Sequence, residues 1–245
     1  METAKLFFEK FIKKSATDFF ALPQSGSSRV NYIAKTENQT FVVTYNENIL
    51  ENKSFFYFSY LFAKLELNTP KILKISDDEK TYIQEFLGNQ TFSEILEKEG
   101  LNHKTKSLVK EILHQLFLAQ QKSLDKIDYK NTFEYEAYND LPILNDLFYF
   151  KNFFIDILEL PYDKSSLLSE FKVILKNLEN ANPKGLMIRD FQARNILIDE
   201  KDAVFFIDYQ SAMHGPLMYD VVSFLYQAKA NFPNDFKEEM LEYYF

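Results

Sequence analysis

The stretch from Arg189 to Gln210 constrains this chain more than any other. Arg189-Asp190-Phe191-Gln192-Ala193-Arg194-Asn195 runs into the apolar Ile196-Leu197-Ile198, the polar turn Asp199-Glu200-Lys201-Asp202, a second apolar run Val204-Phe205-Phe206-Ile207, and then Asp208-Tyr209-Gln210. Short runs rich in β-branched and aromatic residues around a polar turn predict a β-hairpin. A hairpin returns Asn195 and Asp208 to the same end, although thirteen residues separate them. Asp190 stands five residues before Asn195, close enough to share that end. Each of the three alone suits an ordinary turn, loop or strand end. Together they gather two carboxylates and an amide.

That combination points to phosphoryl transfer. The protein performs little covalent chemistry in such a reaction; it places a nucleophile and neutralises phosphate charge. One carboxylate must face the attacking hydroxyl, while an amide and another carboxylate hold a metal. Asp190 is the expected catalytic base, and Asn195 and Asp208 the expected catalytic metal ligands.

Composition narrows the rest. A chain of 245 residues with 46% hydrophobic content can fill one large domain or two lobes. With 28 Lys+Arg against 36 Asp+Glu, a net charge of −8 and no basic block, a nucleic-acid partner is not expected. The absence of cysteine excludes disulfides, thiolate catalysis and Cys-based zinc sites, and fits a reducing cytoplasm. Near the start, Ala4, Phe7, Phe8, Phe11 and Ile12 fall at helical spacing, predicting an amphipathic helix packed on the body rather than a secretory signal. The apolar stretch 55–63 is too short to span a bilayer, so no membrane partner is expected. Oligomeric state stays open.

Along the chain, residues 19–22, 30–34, 41–45, 70–75 and 80–86 read as strands, with a helix over 48–67 inserted among them. From Thr91 the pattern turns helical, over 91–99, 104–121, 144–158 and 165–180. The expectation is an α+β fold of two lobes, a small antiparallel sheet lobe over 1–88 and a mainly helical lobe over 89–245 carrying the hairpin. Glycine is scarce, with 5 in all, so Gly26, Gly88 and Gly215 mark places where the chain bends or approaches a ligand.

This order of elements and motifs resembles the protein-kinase-like fold, in the small-molecule branch of aminoglycoside phosphotransferases and choline kinases. The segments Leu22-Pro23-Gln24-Ser25-Gly26-Ser27-Ser28-Arg29, Thr44-Tyr45-Asn46-Glu47, Tyr82-Ile83-Gln84-Glu85-Phe86-Leu87-Gly88, Arg189 to Asn195 and Gly215-Pro216-Leu217-Met218-Tyr219-Asp220 are similar to a bacterial group within it. That group is related to kinases that phosphorylate N-acetylmuramate and N-acetylglucosamine at the anomeric hydroxyl. The likeness covers nearly the whole chain. It implies ATP and Mg2+ as cofactors, the backbone of Ser25, Gly26, Ser27 and Ser28 over the phosphates, and hydrogen bonds from Glu85, Phe86 and Leu87 to adenine. It also implies a brace on the catalytic loop from Asp220, a residue that equally suits a helix N-cap. Arg189 and Arg194 would meet phosphate or pair with carboxylates, with pairing expected for one of them.

Two departures stand out. Protein kinases place a phosphate-binding Lys on the third strand, paired with a Glu of the inserted helix; that strand here reads Phe41-Val42-Val43-Thr44-Tyr45. Arg29, before Lys35, is the expected substitute, with Glu51 as the helix carboxylate. The second is Ile188, where protein kinases commonly have a largely architectural His, a change that leaves the Asp190 chemistry intact. The chain also ends inside an amphipathic pattern at Glu242-Tyr243-Tyr244-Phe245, whereas the resembling proteins continue with further helices, so a truncated reading frame or a shortened helical lobe is expected.

The acceptor should be a small molecule with a hydroxyl, met by Asp146, Tyr149, Arg194 and Gln210. Asp146 and Tyr149 are three apart on an expected helix and can share a face, although the aromatic stripe containing Tyr149 equally suits a packed core. A sugar or amino-sugar kinase, with cell-wall recycling as its setting, is the leading expectation. An aminoglycoside kinase and a nucleotide-binding regulatory module without turnover are the alternatives.

Overall fold

The computed structural model describes residues 1–23, 28–88 and 90–244. Strands β1 (Asp18–Ala21), β2 (Val30–Lys35), β3 (Thr40–Tyr45), β4 (Ile72–Ile75) and β5 (Thr81–Glu85) form one antiparallel sheet in the order β1-β2-β3-β5-β4. Side chains alternate across a strand. Tyr32 and Ala34 therefore pair with Val43 and Phe41 on one face, where Ile83 joins them. Helix α1 (Glu2–Ile12) lays Ala4 and Phe8 on that face, as the spacing predicts. Asn31, Ile33, Val42, Tyr82 and Gln84 line a cleft on the sheet's other side.

Helix α2 (Ile49–Lys64) lies between β3 and β4 and begins where the Asn48 side chain accepts from the Glu51 N–H at 3.2 Å. Its Phe55, Phe58 and Phe62 are buried in the same core as Leu113, Tyr209 and Phe224, so this helix packs on the helical half rather than on the sheet alone. That half contains α3 (Phe92–Glu99), α4 (His103–Ser123), α5 (Asp140–Phe150), α6 (Lys164–Glu179), α7 (Met218–Leu225) and α8 (Asn234–Tyr244). Between the halves Gly88 turns with φ 102°, which disfavours any side chain, and a Thr91/Glu94 capping box then starts α3.

The predicted hairpin forms from β7 (Ile196–Ile198) and β8 (Val204–Phe206). The helix expected over 144–158 instead starts at Asp140, is regular to Phe150, and widens to π winding over Lys151–Ile155. Tyr149 stacks on Phe153 and Phe150 on Phe154 across that change. A further pair, β6 (Lys184–Met187) with β9 (Met213–Pro216), was not expected. The amphipathic pattern at the chain's end is α8, which buries Phe236 and Met240. Among the described residues no helix is long and apolar enough to cross a membrane.

Candidate active site

The hairpin register pairs Ile196 with Phe206 and Ile198 with Val204, and the Ile207 N–H donates to the Asn195 carbonyl at 3.0 Å. This closes the hairpin at the end where the polar residues emerge. Asn195 Nδ2 donates to the Asp190 backbone carbonyl at 2.9 Å and to Asp208 Oδ2 at 3.3 Å. The amide nitrogen is thus committed to loop geometry, and the Oδ1 carbonyl is the atom of this side chain that could ligate an ion.

Asp220 fastens the loop from behind. Its fully buried carboxylate accepts from the Ile188 N–H at 2.7 Å and the Arg189 N–H at 2.9 Å. It lies inside α7, whose N-cap is Leu217, so of the two roles open to it the brace is the one it takes. Burial pushes its carboxyl up to about 7, against the pull of those two N–H donors. Asp190 is also raised above the ordinary carboxylate range, first by burial and then by the charge of Asp208, while Arg189 and Arg194 oppose the shift.

Arg29 is the cation nearest Asp208. Its Nη2 lies 2.8 Å from Asp208 Oδ1 and 3.1 Å from Glu51 Oε1, and its Nη1 donates to Gln210 Oε1 at 3.2 Å. A planar fork can serve two carboxylates at once, as an ammonium cannot with the same geometry. Arg29 therefore joins the helix carboxylate to Asp208 from the residue just before β2, not from β3. Lys35 sits 3.9 Å from Asp18 in a solvent-exposed pair.

The cleft holds a cavity of about 630 Å³, lined by Arg29, Val42, Tyr82, the hinge residues Glu85, Phe86, Leu87 and Gly88, and, from the hairpin side, Asn195, Leu197 and Asp208. That volume falls within the range of small-molecule and cofactor sites. The Glu85 N–H is committed to the Lys71 carbonyl at 3.0 Å. Ser28 is exposed. Ser25, Gly26 and Ser27, expected over the phosphates, lie outside the described residues.

The four expected acceptor residues scatter. Asp146 accepts from Arg189 Nη2 and from the Tyr138 hydroxyl, each at 2.9 Å, so both of its oxygens meet protein donors. Of Arg189 and Arg194, Arg189 is thereby the one that pairs with a carboxylate. Tyr149 points outward, 62% exposed, and neither joins the cavity lining nor packs in the core. Gln210 is enclosed at 3% exposure, its Nε2 donating to Asp208 Oδ1 at 3.1 Å. Arg194 is exposed and lines the cleft. Tyr138, Ser54 and Ser59, which hold site residues in place, carry no sequence signal of their own.

Asn195 and Asp208 are oxygen donors, and among the described residues no group of three or more His, Cys, Asp or Glu gathers to cage an ion. That sparse set fits magnesium, which keeps waters and substrate phosphate oxygens in its shell. Residues 20–245 match the profile of the phosphotransferase enzyme family. The chain belongs to that family. Within the phosphotransferase family it is 25% identical, over 173 residues, to the N-acetylmuramate/N-acetylglucosamine kinase of Neisseria meningitidis serogroup B (strain ATCC BAA-335 / MC58), covering 69% of this chain and 49% of the relative. The chain spans about half the length of that curated relative. In fold, this phosphotransferase-family chain is similar to the choline kinase LicA of Streptococcus pneumoniae, with a TM-score of 0.69 at 15% identity over 100% of this chain and 81% of the other. It is also similar to ADP-bound aminoglycoside phosphotransferase APH(2'')-Ib, with a TM-score of 0.71 at 19% identity over 99% and 81%. Those likenesses establish the kinase-like α+β architecture.

Proposed function

We propose that this chain is an ATP- and magnesium-dependent small-molecule kinase that transfers the γ-phosphoryl group to a hydroxyl of a sugar or amino sugar. The observation that carries the proposal is the meeting of Asn195 with both Asp190 and Asp208 beside the interlobe cavity. In this reading residues 1–88 form the nucleotide-side lobe and residues 89–245 the acceptor-side lobe, acting in the cytoplasm.

Asp190 accepts the acceptor's hydroxyl proton as its oxygen bonds to the γ-phosphorus and the bond to the β–γ bridging oxygen breaks, releasing ADP. Desolvation of Asp190 raises its basicity for that task. Asn195 Oδ1 and the Asp208 carboxylate would hold magnesium, which when bound neutralises phosphate charge. Arg29, held by Glu51, supplies the fixed cation that protein kinases take from β3. Glu85, Phe86 and Leu87 face the base with main-chain groups. Asp146 serves the acceptor side through Arg189, Gln210 acts through Asp208 and Arg29, and Arg194 flanks the transferred group. The amino-sugar acceptor, and with it a place in cell-wall recycling, is supported by the likeness to the N-acetylmuramate/N-acetylglucosamine kinase.

The test is magnesium-dependent ADP release against N-acetylmuramate, N-acetylglucosamine, simple hexoses, choline and aminoglycosides, with Asp190→Asn as control. Turnover with a sugar, abolished in the variant, is the expected result. Turnover with aminoglycosides alone would move the acceptor class, and nucleotide binding without turnover on any acceptor would favour a regulatory module.

A further inference from the structure

Asp208 has a φ of 65°, in the left-handed region that a β-carbon disfavours. Such a residue persists only where its surroundings hold it. The two residues that follow are gripped by α2. Tyr209 is fully buried, with its ring stacked on Phe55 at a centroid distance of 5.1 Å and 12° between planes, and edge-on to Phe62 at 5.1 Å. Its hydroxyl lies 2.8 Å from Ser59 Oγ. Ser59 sends its own proton to the Phe55 carbonyl at 2.7 Å, so Tyr209 is the donor of the pair. Ser54 Oγ donates to the Gln210 backbone carbonyl at 2.7 Å. One helix therefore holds the chain just after Asp208 by a ring stack and two hydrogen bonds.

We infer that the Tyr209 hydroxyl, donating to Ser59 of α2, is a latch that positions Asp208. This rests on the reading of Asp208 as a metal ligand. Tyr209 and Ser59 touch neither nucleotide nor acceptor in that reading; they act through Asp208. The latch fixes the direction of the carboxylate before any metal arrives, so that binding bears no ordering cost at this residue. Its loss falls first on magnesium affinity.

Tyr209→Phe deletes one oxygen, keeps the ring, and leaves the Ser59 proton on the Phe55 carbonyl, so the Ser59 donor is not orphaned. Ser59→Ala removes the acceptor from the other side, and Ser59→Thr restores a hydroxyl. The measurement is binding of a fluorescent ATP analogue as magnesium is titrated, alongside its binding in EDTA. We expect the half-saturating magnesium concentration to rise about five- to twentyfold in Tyr209→Phe and in Ser59→Ala. The double variant should be no worse than either, because both delete one bond, and Ser59→Thr should recover most of the loss. Binding in EDTA should stay unchanged. Unchanged magnesium dependence, additive losses, or an equal loss in EDTA would overturn the latch. If the native protein itself binds the analogue without regard to magnesium, the metal reading of Asp208 fails and the latch with it.

Discussion

Asp220 exchanges solvent for two main-chain N–H donors, and its worth to the fold depends on pH. Its carboxyl is raised to about 7 in the folded protein from an ordinary value of 3.8. Between those values the folded state binds more protons than the unfolded state, so stability from this group is full below about 4 and is lost as pH rises through about 7. Urea midpoints of the native protein relative to Asp220→Asn should therefore decline across that window. Asp220→Ala leaves the Ile188 and Arg189 N–H groups without an acceptor and should cost about 2–4 kcal/mol by urea unfolding. For Asp190, the raised basicity places the acidic limb of the kcat/KM profile above the ordinary aspartate value of about 4, and Asp190→Asn should remove that limb along with nearly all turnover. The gathering of Asp190, Asn195 and Asp208 was legible because a single local hairpin brings them together. The reach of Arg29 to Asp208 was not, since 179 residues separate the two and no local pattern links them.

At the scale of elements, sequence periodicity served where packing is one-sided. The alternation of β2 and β3 and the spacing of α1 both left visible marks. The β6–β9 pair left none: Lys184-Gly185-Leu186-Met187 and Met213-His214-Gly215-Pro216 are four residues each, hold a glycine each, and lack alternation. What makes them strands is close approach. A β-carbon on Gly215 would meet Met187 Cβ at 3.1 Å and Tyr138 Cβ at 3.2 Å, with Met187 Sδ too near to stay in place. Gly215→Ala should thus destabilise by about 1–3 kcal/mol in thermal or urea unfolding. Removing the cap with Thr91→Ala should cost about 1 kcal/mol, measured the same way.

For the whole molecule, one apolar cluster lies between α1 and the sheet, while a second spreads from α2 through the helical half, leaving the cavity between sheet and hairpin. A ligand that bridges these parts binds only the folded chain. Magnesium with ATP at a hundredfold excess over Kd should therefore stabilise by about 2.7 kcal/mol, raising Tm by roughly 5–10 °C at this size. EDTA should remove most of that shift, and Asp208→Asn should do the same in the presence of magnesium.

What the sequence by itself determined was local: the hairpin that joins Asn195 to Asp208, the strand alternation, and the glycine at the hinge. These follow from periodicity and turn chemistry over a few residues, and each is encoded where it acts. The tertiary structure alone decided which partner each buried polar group finds. It turned Asp146 to Arg189 and Tyr138, set Arg29 between Glu51 and Asp208, and bolted Tyr209 to Ser59. A buried donor or acceptor must be satisfied by whatever the fold brings within about 3 Å, and that depends on the packing of distant segments.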